Sequence, residues 1–378
     1  MKNLSKKTIL PGQTIGIIGG GQLGRMMALA ARKRGYRIAV LDPTENSPCG
    51  QIADIEIVAP YHDKNALNKL ASVSDVITYE FENIDYESLA QLKETAYIPQ
   101  GAEVIKITQN RIKEKELVLQ SGLNTVPFEV VTNETELVHA LNQLGYPSVL
   151  KTITGGYDGK GQHVIRNIED LEQAKVLFNH GVCILEKFIS FSKEISVIIS
   201  RSLNGETKIF PVAENIHKEN ILHITIAPAR IHSNIEEKAK SIALKIAEQG
   251  NFIGTFAIEM FVTKDEDVLV NEIAPRPHNS GHYTIEACQV SQFEQHILAI
   301  CNVPLGDPHL LKPAVMVNIL GEHMEDVLIR IPTLTNWHVH FYGKQEAKKK
   351  RKMGHVTLLR ENLEEALKEI ENTMIWID

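Results

Sequence analysis

Apolar and polar positions change rhythm partway along this chain. From residue 14 to about residue 108, short β-branched runs alternate with stretches of helical period. Residues 15–18, 38–41, 55–58 and 76–78 read as buried strands, with 97–99 closing the series. Helices fit between them, which predicts a parallel sheet covered by helices. A charged helical stretch follows at 109–120, then an extended run at 127–131 and a helix over 134–144. From residue 148 strand-like runs come in adjacent pairs: 148–152 with 163–166, 182–187 with 194–200, and 256–262 with 268–273. That pattern predicts antiparallel sheet, interrupted by a helix at 235–248. Beyond Pro304, strands are expected at 314–320, 338–342 and 354–358, and a helix at 362–372 closes the chain. The fold class expected is α/β followed by α+β, in three parts: 1–108, 109–303 and 304–378.

Composition narrows the function classes. Of 378 residues, 43% are hydrophobic and 23% charged, as in an ordinary soluble globular protein. The formal net charge of -7 argues against general nucleic-acid binding. No apolar run approaches the ~20 residues of a helical membrane span, so no membrane partner is expected. The opening MKNLSKKTILPGQ is basic but lacks the apolar core of a secretory signal. Cys49, Cys183, Cys288 and Cys301 are scattered, with no C-x-x-C, which speaks against disulfide or thiolate-metal frameworks. A reducing cytoplasm is the expected compartment.

The first chemical signal is IIGGGQLG. Gly19, Gly21 and Gly24 fit the dinucleotide fingerprint G-x-G-x-x-G, and Asp42 ends the next strand where a ribose-binding acid belongs. Glycines at such a turn equally serve tight chain reversal and close helix packing, so the rest of the chain decides.

Three later features carry more. Gly155, Gly156, Gly159 and Gly161 fall in GGYDGKGQ between two strands, with Lys151 and Lys160 beside them. Such a loop lets backbone N–H groups surround phosphates. It is not a Walker A loop, because no Ser or Thr follows Lys160 and a strand comes next. In TFAIEMFVTKDEDVLVNEIAPR, a four-residue turn at 264–267 would pair Thr263 with Val268 and set Glu259 opposite Glu272. Opposed residues share a face with Cβ atoms ~5 Å apart, so two bare carboxylates would repel and a shared divalent cation removes the conflict. The third feature is Glu186-Lys187-Phe188-Ile189 at a strand end, with Glu194 opening the next run. It can offer backbone groups to a base edge and a carboxylate to ribose hydroxyls, or be a plain hairpin.

In this order these features resemble the ATP-grasp superfamily over nearly the whole chain. GGGQLGRM, YEFEN, GGYDGKGQ, NEIAPRPHNSGH and RKMGHV together resemble its 5-(carboxyamino)imidazole ribonucleotide synthetase family. The resemblance implies a Rossmann-like pre-ATP-grasp domain, an ATP-grasp domain of two subdomains and a small β-rich C-terminal domain. It implies a cytoplasmic enzyme of purine synthesis, working as a homodimer. That enzyme would use ATP and bicarbonate to carboxylate the exocyclic amine of 5-aminoimidazole ribonucleotide. It implies that Arg111, Lys151, Gly156, Tyr157, Asp158, Gly159, Lys160, Gly161, Gln162, Glu186, Lys187, Phe188, Ile189, Glu194, His217, Asn271 and Glu272 contact ATP. Glu259 and Glu272 would hold Mg²⁺. Glu80, Tyr157, Lys160, Lys344 and Arg351 would bind the acceptor. The loop carries Lys160 where relatives have Arg, which keeps charge but loses bidentate contact.

Charge suggests the remaining roles. Arg276 and the segment His278-Asn279-Ser280 are placed to hold bicarbonate or carboxyphosphate, and Asp158 to assist loss of the amine proton. The basic run Lys348 to Lys352 reads as a nucleic-acid patch, a solvated turn, or a phosphate site in which Arg351 takes part. A nicotinamide dehydrogenase would leave the Glu259/Glu272 hairpin unexplained. A formate-using glycinamide ribonucleotide transformylase shares the architecture, but MGHV and GGYDGKGQ favour the carboxylating enzyme. A nucleotide-sensing module without chemistry would not need the full metal and phosphate set.

Overall fold

The structure, a computed structural model, describes residues 7–156 and 160–376. It opens with β1 (Thr14–Ile18), β2 (Arg37–Asp42), β3 (Ile55–Val58) and β4 (Val76–Tyr79). All pair in parallel, in the order β3-β2-β1-β4. Ile15, Ile17, Ile18, Ile38, Val40 and Leu41 are fully buried, as strands covered on both faces must be. Residues 97–99 do not form the expected closing strand. The Ile77 N–H donates to the Tyr97 carbonyl at 2.9 Å, but Pro99 has no N–H with which to continue a ladder.

The glycine turn after β1 is filled from within. Helix α1 (Gln22–Lys33) starts there, and the Glu80 carboxylate accepts the N–H groups of Gly21 and, at 2.6 Å, Gly24. Asp42 accepts the Gly20 N–H at 2.7 Å and the Tyr61 hydroxyl at 2.6 Å. Both acids are buried. A Cβ on Gly21 would stand 2.6 Å from Glu80 Oε1, and one on Gly24 2.5 Å from the Gly19 carbonyl. The positive end of α1, which a dinucleotide pyrophosphate would need, is thus neutralised by the protein's own carboxylate.

A second sheet contains β5 (Phe128–Val131), β6 (Ser148–Thr152), β7 (Gln162–Ile165) and β8 (Cys183–Lys187), antiparallel in the order β5-β8-β6-β7. The helix Glu134–Leu144 lays Leu137 and Leu141 on Leu150 and Leu185. The third sheet takes β9 (Phe191–Arg201), β10 (Thr207–Ile209), β11 (Ala213–Lys218), β12 (Ile221–Ala227), β13 (Gly254–Thr263) and β14 (Val268–Ala274). It continues through β15 (Ala314–Leu320), β16 (Trp337–Phe341) and β17 (Lys352–Leu359). Its path is β14-β13-β9-β11-β12-β15-β17-β16, with β10 on β9, so the C-terminal strands extend the central sheet through β12 and β15.

The expected pairing of 182–187 with 194–200 does not occur. β8 lies between β5 and β6, while β9 lies between β13 and β11. The Lys187 N–H donates to the Pro127 carbonyl and the Phe188 N–H to that of Pro147, at 2.9 and 3.1 Å, holding the connection to the smaller sheet. The chain therefore crosses between sheets at 188–190 instead of turning a hairpin. Polar residues in β11 (AENIHK) hid 213–218 from the apolar pattern.

Two helices tie the units together. Ser233–Gln249 buries Ile235, Ala239, Ala243 and Ile246 against Val197, Ile199, Phe256 and Ile258. Gln292–Ile300, opened by a Ser291/Glu294 capping box, packs Phe293, Ile297 and Ile300 on Met27 and Ala31 of α1. His296 Nδ1 accepts the Thr255 N–H at 3.0 Å, so its proton sits on Nε2, 2.8 Å from Thr78 Oγ1. Thr78 in turn donates to Gln100 at 2.5 Å. Among the described residues no helix is long and apolar enough to cross a membrane. All four cysteines are buried free thiols.

Because Glu80 and Asp42 already occupy the glycine turn, NADH titrated into the protein should give no saturable change in fluorescence or heat at micromolar concentrations. Stoichiometric binding would show that the carboxylates are displaced and would restore the dinucleotide reading.

Candidate functional site

A cleft of about 1080 Å³ is lined by the two antiparallel sheets and by the loops after β1 and β4. Arg111, Lys151, Lys160, Gln162, Glu186, Lys187, Phe188, Ile189, Glu194, His217, Asn271 and Glu272 all face it. So do Glu80, Glu259, Arg276, His278, Lys344 and Arg351. Gly156 and Gly161 stand beside it: a Cβ on Gly156 would meet the Lys160 carbonyl at 2.8 Å, and one on Gly161 would meet Thr152 Oγ1 at 2.8 Å. Gly161 also has φ +69°, a conformation L side chains rarely adopt. The expected contacts Tyr157, Asp158 and Gly159 lie outside the described residues.

Glu259 and Glu272 are directly opposed on β13 and β14. The turn that delivers them differs from the expected one. The Thr263 N–H donates to the Asp267 carbonyl at 2.9 Å, and Glu266 takes φ 62°, giving a shorter loop. Val262, not Thr263, therefore faces Val268. The register then shifts between Glu259 and Met260, which face Glu272 and Val270 and leave Asn271 as the extra residue. That bulge restores the glutamate pair and lets Asn271 and Glu272 both line the cleft. Burial first, and the facing Glu272 carboxylate second, push Glu259 up to about 7. Behind them Glu114 is buried, accepts the Ile273 N–H at 2.6 Å, and is also raised by burial and by Glu272. A carboxylate pair of which Glu259 is pushed up by burial and by its neighbour suits an oxygen-seeking divalent cation.

Cations crowd the opposite wall. Lys151 on β6 reaches Glu186 Oε2 at 2.6 Å, and Lys115 reaches Oε1 at 3.0 Å. Burial alone would raise Glu186, but Lys151 and Lys115 hold it to about 2. Asn110 caps the helix Arg111–Gln120, accepting the N–H groups of Ile112 and Lys113, and so sets Arg111 at the cleft, 3.9 Å from Glu272 Oε2. His217 pairs with Glu194; burial opposes the charge on His217, but Glu194 outweighs it and raises the pKa.

At the inner end, Arg276 forms a two-pronged ion pair with Glu82, Nε to Oε2 and Nη2 to Oε1 at 2.9 Å. His278 is neutral: burial first, then the Arg276 charge, drive its pKa well down. A hydrogen-bond chain sets its tautomer. Thr225 donates to Asn215, Asn215 to Ser196, and Ser196 to Ser280 at 2.8 Å. The Ser280 hydroxyl then donates to His278 Nδ1 at 2.8 Å, leaving the proton on Nε2, 3.4 Å from Glu259 Oε1. Ser280 is fully buried in this chain, so it supports His278 and does not face the cleft as expected. Asn279 lines the cleft while sharing hydrogen bonds with Asn318.

A further part of the lining is basic. Lys344 donates to the Lys352 carbonyl at 2.7 Å, and burial, ahead of the Arg351 charge, lowers it to about 8. Arg351 donates to the Glu346 carbonyl at 3.0 Å. Lys348, Lys349 and Lys350 line the same wall, which sets the basic run at the cleft and not on a remote face.

Sequence reading missed Glu82, Glu114 and Lys115. A signal for the last two existed. Glu114 and Lys115 share a helix face with the buried Leu117 and Val118, and charges on an apolar stripe need partners. Glu82 carried no such mark, because its partner lies 194 residues away.

Family models match the chain in three segments. They are a ribonucleotide synthetase preATP-grasp domain at residues 12–109, an ATP-grasp domain at 116–293 and a phosphoribosylaminoimidazole carboxylase C-terminal domain at 314–369. The N5-carboxyaminoimidazole ribonucleotide synthase of Bacillus subtilis (strain 168) is 53% identical over 369 residues, covering 98% of this chain and 97% of the relative. That of Staphylococcus aureus (strain COL) is 48% identical over 349 residues, covering 92% and 93%. A crystal structure of N5-carboxyaminoimidazole ribonucleotide synthetase with ADP superposes with a TM-score of 0.96 at 57% identity, covering 98% of this chain and 99% of that one. The Aspergillus clavatus synthase with ADP and 5-aminoimidazole ribonucleotide gives a TM-score of 0.90 at 31% identity, covering 96% and 97%. The paired carboxylates, the glycine loop and the basic part of the lining thus sit in a chain that belongs to the N5-carboxyaminoimidazole ribonucleotide synthase family of ATP-grasp ligases.

Proposed function

We propose that this chain carboxylates the exocyclic amine of 5-aminoimidazole ribonucleotide with ATP and bicarbonate, giving the N5-carboxyamino product, ADP and phosphate. One observation carries the reading: a single cleft is lined both by an opposed carboxylate pair and by the Lys344/Arg351 cluster. That arrangement has room for two phosphorylated substrates.

In this reading ATP lies along β6 to β9. Lys151, Lys160 and the glycine loop take its phosphates, and the apolar surface of Val149, Phe188 and Phe261 takes the base. Glu259 and Glu272 would hold Mg²⁺. When bound, Mg²⁺ supplies charge neutralisation for the transferring phosphoryl group. Arg276 and the Nε2–H of His278 hold bicarbonate. Its oxygen attacks the γ-phosphorus, the bond to ADP breaks, and carboxyphosphate forms. Breakdown gives phosphate and CO₂, which the amine captures with loss of a proton, for which Asp158 is the expected acceptor. Neutral His278 fits this role, because it donates to an oxyanion without titrating. Enclosure between the sheets shields carboxyphosphate from water. The protein acts as a homodimer, a state that sedimentation would check.

Glu272→Gln should abolish Mg²⁺-dependent turnover while leaving the thermal unfolding curve nearly unchanged, since one ligand is lost and the side chain is half exposed. Normal turnover of this variant at low Mg²⁺ would end the metal assignment. Arg351→Ala removes a guanidinium able to grip a phosphate dianion through two N–H groups, a contact worth ~1.5–3 kcal/mol. The KM for the ribonucleotide should rise roughly ten- to hundredfold at fixed ionic strength while that for ATP changes little. A selective effect on ATP would reverse the two phosphate sites.

Lys344 gives a pH signature. With its pKa lowered to about 8 from 10.5, it is a cation only below that value. The kcat/KM for the ribonucleotide should therefore fall as pH rises through about 8, and Lys344→Arg should remove that limb. The same depression means the unfolded chain binds the extra proton between about 8 and 10.5, so this group makes the fold more stable as pH rises across that window. A wild-type profile flat through that range would detach Lys344 from the phosphate.

A further inference from the structure

The Glu82–Arg276 pair joins two units of the fold. Glu82 follows β4 in the parallel sheet, and Arg276 follows β14 in the large antiparallel sheet. Glu82 is held before it meets the arginine. Gln109 Nε2 donates to the carbonyls of Glu82 and Ile84, at 2.6 and 2.5 Å, pinning the loop. Both members of the pair line the cleft, and their side chains are mostly buried.

A guanidinium has five N–H donors in a fixed fork. Glu82 takes one on Nε and one on Nη2, and the Pro277 carbonyl takes one on Nη1 at 3.3 Å. Among the described residues two N–H groups remain, one on each terminal nitrogen. With the Nε edge clasped by a carboxylate from the neighbouring unit, the guanidinium plane cannot swing. The two remaining N–H groups then keep one direction. Such a pair matches two oxygens of a small planar oxyanion.

We propose that Glu82 is a positioning residue for the one-carbon donor, fixing Arg276 so that its two unclaimed N–H groups grip bicarbonate and then the carboxylate end of carboxyphosphate. This rests on the role given to Arg276 above. Glu82 touches the donor only through Arg276. Its contribution is orientation, which matters because a guanidinium free to rotate spends its donors on water. The clasp also links donor binding to the docking of the parallel-sheet unit, whose Glu80 faces the same cleft.

The test compares Glu82→Gln, Glu82→Asp and Arg276→Lys with the wild-type enzyme. Three quantities are read: the KM for bicarbonate, the KM for ATP, and phosphate released per carboxylated product. Glu82→Gln keeps the size but loses the charge. It should raise the bicarbonate KM about ten- to hundredfold, leave the ATP KM within about twofold, and push the phosphate-to-product ratio above one as carboxyphosphate escapes to water. Glu82→Asp keeps the charge and should recover part of the coupling. A ratio of one with an unchanged bicarbonate KM in Glu82→Gln overturns the proposal, even if the melting temperature falls; the pair is then a clasp between units. If Glu82→Gln does not fold, the same ratio in Glu82→Asp decides, above one in favour and one against. Arg276→Lys separates the two levels. If it alters coupling while Glu82→Gln does not, only the positioning role is lost. If Arg276→Lys leaves bicarbonate KM and coupling intact, the donor site itself has been misplaced.

Discussion

Two carboxylates on one face of a hairpin, Glu259 and Glu272, set the constraint on which the cleft is organised. Left to themselves they repel, and burial first, with that repulsion second, makes Glu259 bind its proton more tightly, up to about 7. A fold selected for stability alone would not keep that arrangement, nor bury a third carboxylate, Glu114, behind it. The local structure resists the obvious relief. The bulge at Asn271 costs a ladder position yet keeps both glutamates on the same side. The hydrogen bond from Ile273 to Glu114 anchors the strand just beyond the bulge. Strain of this kind makes sense where a divalent cation and polyphosphate complete the charge balance.

Elsewhere the cleft balances charge within the protein. Glu186 sits between Lys115 and Lys151 and stays ionised. Arg276 is matched by Glu82, Glu194 by His217. The contrast is informative, because matched pairs set directions while mismatched groups leave binding energy for ligands. Lys344 belongs with the second kind. Its lowered pKa reports a buried cation beside another cation, as Glu259 reports a buried anion beside another anion. The two mismatches have opposite sign and face one cleft, as the proposed metal-bound triphosphate and separate phosphate monoester require.

Much of this was legible in the residues, and the failures have local causes. Strands rich in β-branched residues, 15–18, 38–41 and 76–78, were found because burial on both faces leaves a nearly unbroken apolar run. β11 was not, because Glu214 is paired with Lys193 and Arg230, Asn215 serves the interior network and His217 faces the cleft, and so they break the alternation. The hairpin arithmetic reached the right glutamate pair through a wrong turn. The loop is one residue shorter than supposed and the bulge gives the residue back. Residues 182–187 and 194–200 looked like a hairpin since nothing in sequence marks a strand's change of sheet. Only the bonds of Lys187 and Phe188 to Pro127 and Pro147 reveal it. Glu82 and the tautomer-setting chain behind His278 depend on contacts across large sequence separations, which periodicity does not encode.

The opening glycines carry the more general point. Gly19, Gly21 and Gly24 make the same tight turn and the same positive helix end that a dinucleotide site uses. A local motif specifies that potential but not what satisfies it. Here Glu80, 59 positions after Gly21, delivers a carboxylate into the turn, and Asp42 turns inward to Gly20 instead of outward to a ribose. The same strand end then carries Glu82 to Arg276, two residues further along. One short loop thus closes a binding site that the fold could have had and orients a residue of the site that it does have. Both outcomes follow from electrostatics at an element terminus, since an exposed helix end binds whichever anion is nearest and best held. A carboxylate tethered to the adjacent strand needs no diffusing ligand and loses little entropy on docking, so it wins over a soluble pyrophosphate. The turn is thereby converted from a binding site into a fastening for the strand end that reaches the cleft.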